Sequence, residues 1–267
     1  MKNKSGISKS AKYKPFSQLL EEDRELAQMR REYESDPPDE RQKAALFEYD
    51  FSLTSETFNS LLVFGGIKSK SAKPCLPPGF AALVIDPLCA PALLTVGSTD
   101  YLGGCKAEGM KHLLTLIQLP DDQELVEIIE KAGNFLLDCN DLENALTLYL
   151  AAEKAFPHRA IYYIGSAYCH GKLGKHPESV LKHRKAVELE PENYYHLNDL
   201  GFSLLEAGEY AEAESVLNKS IELSPPDYNY PRNNLEELKK RRALVSSNNN
   251  GGKKEEMARV KKGRIKN

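Results

Sequence analysis

Three prolines constrain this chain more than anything else in it. Pro157, Pro191 and Pro225 stand 34 residues apart, twice over. Each closes an apolar-periodic run. The same interval relates Leu142, His176 and Tyr210, then Ala145, Ser179 and Ala213, then Ala152, Ala186 and Ser220. Small residues therefore recur at fixed places in a frame of constant length. A constant period of 34 with two helical patterns per period predicts a helix–turn–helix solenoid, an all-α fold.

The physical reason is burial. Two helices of roughly a dozen residues each cannot hide their apolar stripes alone, so neighbouring units must stack. Helices approach closely where side chains are small, which accounts for Gly133, Gly201, Ala145, Ala152, Ala186 and Ala213. Leu136, Tyr149, Leu200, Leu204, Leu217 and Leu223 fill the space between. Gly174 and Gly208 supply the positive-φ residue that stops the first helix of a unit, and Asn140 does so at some cost. The prolines follow the second helix, where no backbone N–H is needed.

The stretch from about 126 to 227 resembles the tetratricopeptide repeat. The third unit carries Leu197, Leu200, Gly201, Leu204, Gly208, Ala213, Leu217, Ser220 and Pro225 where that repeat has its large, small and proline positions. The first carries Ile129, Ala132, Gly133, Leu136, Ala145, Tyr149, Ala152 and Pro157. The middle unit departs. Strict counting puts Ser166, Ala167 and His170 where Leu, Gly and Tyr are usual, whereas a slide of two residues brings Ile164, Gly165 and Tyr168 there. The two registers differ by roughly 200° of rotation about the helix, and the sequence leaves both open. The resemblance implies a right-handed tetratricopeptide-type α-solenoid. It has three clear repeats (126–159, 160–193 and 194–227), one or two degenerate N-terminal repeats, a C-terminal capping helix and disordered basic tails.

The rest of the chain is arranged around that block. Residues 1–15 are Lys-rich and predict disorder. A helical arm is expected over 16–55, broken at Asp36-Pro37-Pro38-Asp39. Residues 56–123 predict a degenerate repeat region. Within it, Ala92, Val96, Gly97, Gly104 and Gly109 fit a repeat over 90–123 that runs two residues long. A single amphipathic helix over about 231–244, within a segment 228–244, is expected to cover the last open core through Leu235 and Leu238. Residues 245–267 predict a flexible basic tail.

Function is bounded first by what is missing. The chain is 41% hydrophobic and 28% charged with net charge −3, an ordinary globular balance. No apolar run reaches the roughly 20 residues a membrane helix requires, and the basic N-terminus lacks a secretory h-region. The five cysteines are widely spaced without a C-x-x-C, which predicts free thiols and a cytoplasmic location. No phosphate loop, metalloprotease helix, nucleophile elbow or paired-Cys motif occurs. His170, His176 and His183 beside Cys169 lack the spacing of a zinc site and read as structural or surface histidines. No cofactor, metal or catalytic residue is expected.

What the resemblance implies instead is a groove lined by the first helix of each unit. Carried onto this chain, the groove positions are Glu127, Glu130, Asn134 and Asp138, then Ile161, Ile164, Tyr168 and Lys172, then Tyr195, Asn198, Asp199, Phe202 and Glu206. Asn134, Tyr168, Lys172, Tyr195, Asn198 and Phe202 are the candidate peptide-binding residues: amides to hold a backbone, rings to anchor a side chain. Some members of the family grip the C-terminal carboxylate of the heat-shock chaperones Hsp70 and Hsp90 with lysines, asparagines and an arginine. Here only Asn134 fits, because Glu130, Gly165, Tyr195 and Asp199 stand at the other positions, so no such clamp is expected. The leading expectation is a non-enzymatic adaptor holding a protein segment. Two alternatives are a secretion chaperone of the bacterial type III kind and non-specific nucleic-acid association through the basic tails.

Overall fold

The computed structural model describes residues 86–244, together with 15, 17, 18, 79, 82 and 83. The rest of the N-terminal tail and arm, most of 56–85 and the tail from 245 onward lie outside the described residues. Among the described residues there are helices and turns and no strand. The fold is all-α and of tetratricopeptide type. Two compact units divide it, Met1–Asn144 and Ala145–Asn267.

In the first unit, α1 (Ala90–Leu102) and α2 (Lys106–Thr115) form a hairpin, followed by a 3₁₀ turn (Leu116–Gln118) and α3 (Gln123–Asp138). The hairpin closes on glycine. A Cβ on Gly109 would meet the Gly97 carbonyl oxygen at 2.6 Å and the Tyr101 nitrogen at 2.7 Å, so backbone lies directly on backbone. Ala92, Leu93, Val96, Leu113, Leu116, Ile129 and Leu136 make the buried apolar set. Asp122 caps α3, its Oδ1 accepting from the Leu125 N–H at 2.7 Å. The Tyr101 ring meets Phe135 edge-on at 5.7 Å.

A polar knot at Asp141 and Asn144 fastens this unit. Asp141 takes hydrogen bonds from the Tyr101 hydroxyl, from Lys106 Nζ at 3.0 Å, and from the Asn144 backbone N–H and side-chain Nδ2. These donors, led by Tyr101, hold its carboxyl down at about 2.

The second unit takes in most of α4 (Leu142–Ala155), then α5 (Ala160–Lys172), α6 (His176–Leu189), α7 (Tyr194–Ala207) and α8 (Tyr210–Leu223). A last helix, α9, covers residues 230–244. The starts of α4, α6 and α8 are spaced by 34, as are their ends, and each end is followed two residues later by one of the three prolines. The small positions are all buried. Where serine replaces alanine, its hydroxyl donates to the backbone of a neighbouring first helix: Ser179 to Ala167 O at 2.8 Å, Ser220 to Tyr194 O at 2.7 Å.

The middle repeat keeps the strict count. α5 and α7 begin 34 residues apart, and Ala167 is fully buried at the place of Gly201. Gly165 has a different duty. A Cβ there would lie 2.4 Å from the Tyr149 ring, which crosses α5 at that point. Gly201 plays the corresponding part inside its own hairpin, with Leu217 Cδ2 at 2.6 Å.

Every described residue with positive φ is a hairpin turn: Gly104 (φ 91), Asn140 (φ 55), Gly174 (φ 73) and Gly208 (φ 80). In each case the next residue's N–H reaches back to the carbonyl five residues before it, as Glu209 does to Leu204 O at 2.8 Å. The core of the last hairpin joins Leu200, Leu204, Leu205, Ala213 and Leu217 to Val180 on one side and Leu238 of α9 on the other, with Leu235 packed against it.

Candidate functional site

A cleft of about 500 Å³ opens in the second unit. α5 contributes Ile164, Ala167, Tyr168, Gly171 and Lys172 to its wall, and α7 contributes Asn198, Asp199, Phe202, Ser203 and Glu206. α6 adds His176, Ser179 and His183, while α9 adds Tyr230 and Asn234. Helical spacing explains the grouping: Asp199, Phe202 and Glu206 fall at steps of three and four along one side of α7.

Four of the six sequence candidates meet here: Tyr168, Lys172, Asn198 and Phe202. Tyr168 and Phe202 are each 47% exposed, large rings left in solvent. Lys172 lays its ammonium 5.3 Å from the centroid of the Tyr168 ring. Asn198 is buried, and its amide is engaged by the chain itself. Its Oδ1 accepts from Asn234 Nδ2 at 2.9 Å and its Nδ2 donates to Asp199 Oδ1 at 3.2 Å. Tyr195 stands among tyrosines, 4.3 Å from Tyr194 and 5.0 Å from Tyr228; Tyr228 in turn lies 5.3 Å from Tyr230 of the cleft wall. Asn134 is exposed on α3, in the first unit.

Beneath the cleft runs a buried polar chain. His183 Nδ1 and Ser203 Oγ are 2.8 Å apart, Ser203 and Ser179 share a hydrogen bond at 3.1 Å, and Ser179 ends the chain on Ala167 O. Burial pushes the His183 imidazole down to about 4, so it is neutral at ordinary pH. A serine beside a histidine invites comparison with a nucleophile and its base. No carboxylate among the described residues hydrogen-bonds this histidine, and a base at about 4 is poorly matched to taking a hydroxyl proton near neutrality. The chain ties α5, α6 and α7 together through groups that need one another. A second tie is Glu153 of α4, which is buried and holds Ser166 of α5 and Lys182 of α6.

Two acids face the cleft. Glu206 is engaged by Arg241 at 2.9 Å, and Arg241 also holds Glu237. Asp199 accepts only the Asn198 amide, and burial pushes its carboxyl above the usual range. Burial also lifts Tyr228 to about 12, with Asp199 adding to the effect.

His170, His176 and His183 do not converge, and no group of three or more His, Cys, Asp or Glu side chains among the described residues could hold a metal. Cys89, Cys105, Cys139 and Cys169 are free thiols; burial pushes Cys169 up to about 11. No helix among the described residues is long and apolar enough to cross a membrane.

Sequence reasoning did not reach Tyr230, Asn234 or the tie between His183 and Ser203. The last was within reach, since His183 occupies the place of Tyr149 and Leu217 in the 34-residue frame, which is a core position.

The repeating hairpins, their left-handed turns and their buried small residues make this a fold of the tetratricopeptide-repeat type. No family model matches the sequence. It is 31% identical over 93 residues to a protein described as an SGT1 homolog from Oryza sativa subsp. japonica, a match covering 35% of this chain and 25% of that protein. The chain thus spans about a quarter of the length of that curated relative. Among solved structures, it is similar to YrrB, described as a TPR protein with an unusual peptide-binding site, with TM-score 0.46 and 15% identity over 82% of this chain and 97% of that one. It is also similar to the Sgt2 TPR domain from Aspergillus fumigatus, with TM-score 0.42 and 20% identity over 45% and 81% of the two chains. A third is the first TPR of Spaghetti (RPAP3) bound to an HSP90 peptide, with TM-score 0.42 and 18% identity over 46% and 96%. Likeness at this level says nothing of what the present chain binds.

Proposed function

We propose that this chain is a non-enzymatic interaction module that holds a segment of a partner protein in the cleft between α5, α7 and α9. The observation that carries this reading is the wall itself. Tyr168, Phe202 and Tyr230 leave large rings exposed together around a recess of about 500 Å³. Exposed aromatic side chains around a concavity are what anchor a partner's side chains. Lys172 and Asp199 give the recess one positive and one negative wall, which sets the direction of a bound segment.

The same geometry argues against a terminal carboxylate as the anchor. Asp199 and Tyr195 occupy places where a clamp needs cations, and Asp199 would repel the incoming charge. A peptide ending in Glu-Glu-Val-Asp is expected to show no heat of binding in calorimetry at micromolar concentrations. The free thiols among the described residues are in keeping with work in a reducing compartment.

The test of the reading is a paired one. Tyr168→Ala with Phe202→Ala removes exposed rings, so the melting temperature should stay within a few degrees of the parent's. Partner proteins retained by the full chain should be lost from the double variant. Retention of the same partners by both chains would move the binding surface elsewhere.

A further inference from the structure

Of the two cleft acids, Asp199 is the one with no ion pair among the described residues. Burial holds its carboxyl above the usual range, and the nearby His196 favours its charge only in part. Its single hydrogen bond comes from the Asn198 amide. Lys172, on the opposite wall, spends its ammonium on the Tyr168 ring. Glu206, one helical step further along α7, already has Arg241. A carboxylate withdrawn from water with one neutral donor carries an unmet demand for partners. Two exposed rings line the same cleft: Phe202, three residues on along the same side of α7, and Tyr230 of α9, 65% exposed. Rings that share a cleft with a carboxylate suit a flat or extended cation, which pairs with the acid while its stem and charge lie against the ring faces.

We propose that the cleft selects partner segments carrying an arginine or lysine, whose cationic head pairs with Asp199 between Phe202 and Tyr230. This deepens, and rests on, the reading of the cleft as a peptide site. A guanidinium fits best, because it delivers two N–H groups to the two carboxylate oxygens. The side chain's aliphatic stem then covers the Phe202 ring.

The test is selection of peptides from a random phage-displayed library on the immobilised full chain and on its Asp199→Asn variant. That variant keeps the shape, and circular dichroism should show unchanged helicity. The parent is expected to select peptides with Arg or Lys at one fixed position, beside apolar residues. The variant is expected to keep the apolar preference and lose the basic one. For one selected peptide, calorimetry should show affinity falling about tenfold or more on Asp199→Asn. Changing the peptide's basic residue to Gln should then cost the variant little further. Selected peptides that depend on Phe202 but carry no basic position would overturn the cation assignment and leave the peptide cleft standing. Selected peptides indifferent to Phe202→Ala and Asp199→Asn alike would overturn the cleft reading itself, and this inference with it.

Discussion

Gly174 and His183 show how much a single position decides here. At Gly174 nothing lies within 4 Å of a hypothetical Cβ, yet φ is 73, so the cost of a side chain there is purely conformational. Gly174→Ala should lower stability by about 1 kcal/mol in urea denaturation, whereas Asn140→Gly should raise it slightly. Equal and negligible effects would mean that the turns are not under conformational tension. His183 is governed by protonation. Its folded value of about 4 lies below the ordinary 6.5, so the unfolded chain takes the proton first as pH falls. Stability is therefore full above about 6.5 and lost progressively down to about 4. Between pH 7 and pH 5 the parent should lose about 2 kcal/mol more than a His183→Leu variant in urea melts. Asp141 behaves likewise lower down. Its contribution is present above the ordinary 3.8 and disappears as pH falls toward 2.

At the level of helices and turns, α9 does two things. It closes the core of the last hairpin with Leu238, and it supplies Tyr230 and Asn234 to the cleft. Leu238→Ala should cost about 2–5 kcal/mol by chemical denaturation. A loss below about 1 kcal/mol would mean that the helix is not needed to cover the core. This is also where sequence legibility gave out. The hairpins were readable because the same weak preferences recur at fixed intervals. Asn140, Gly174 and Gly208 at the turns and Ala145, Ser179 and Ala213 at the crossings could be named from spacing alone. The middle register was not readable, because two forces compete for glycine in α5. The frame asks for a small residue at Ala167, and the Tyr149 ring of the preceding helix asks for one at Gly165. Only the packing tells them apart. α9 lies beyond the last repeat, so no interval predicts which of its residues turn toward the cleft. Asn198 shows the same limit: the need of its amide for a partner was legible, but Asn234 as that partner was not.

For the molecule as a whole, the central claim is that the hairpins of the second unit leave a recess whose exposed rings hold another protein's chain. The most direct measurement is site-specific photocrosslinking in the protein's own cells, with benzoylphenylalanine at position 202 and, as a control, at position 181. Leu181 is a still more exposed apolar residue, 63% exposed on α6, and it does not line the cleft. The account predicts a discrete crosslinked partner from position 202 that is absent from position 181. Adducts of the same identity and yield from both positions, or none from 202 with a full-length folded chain, would contradict it.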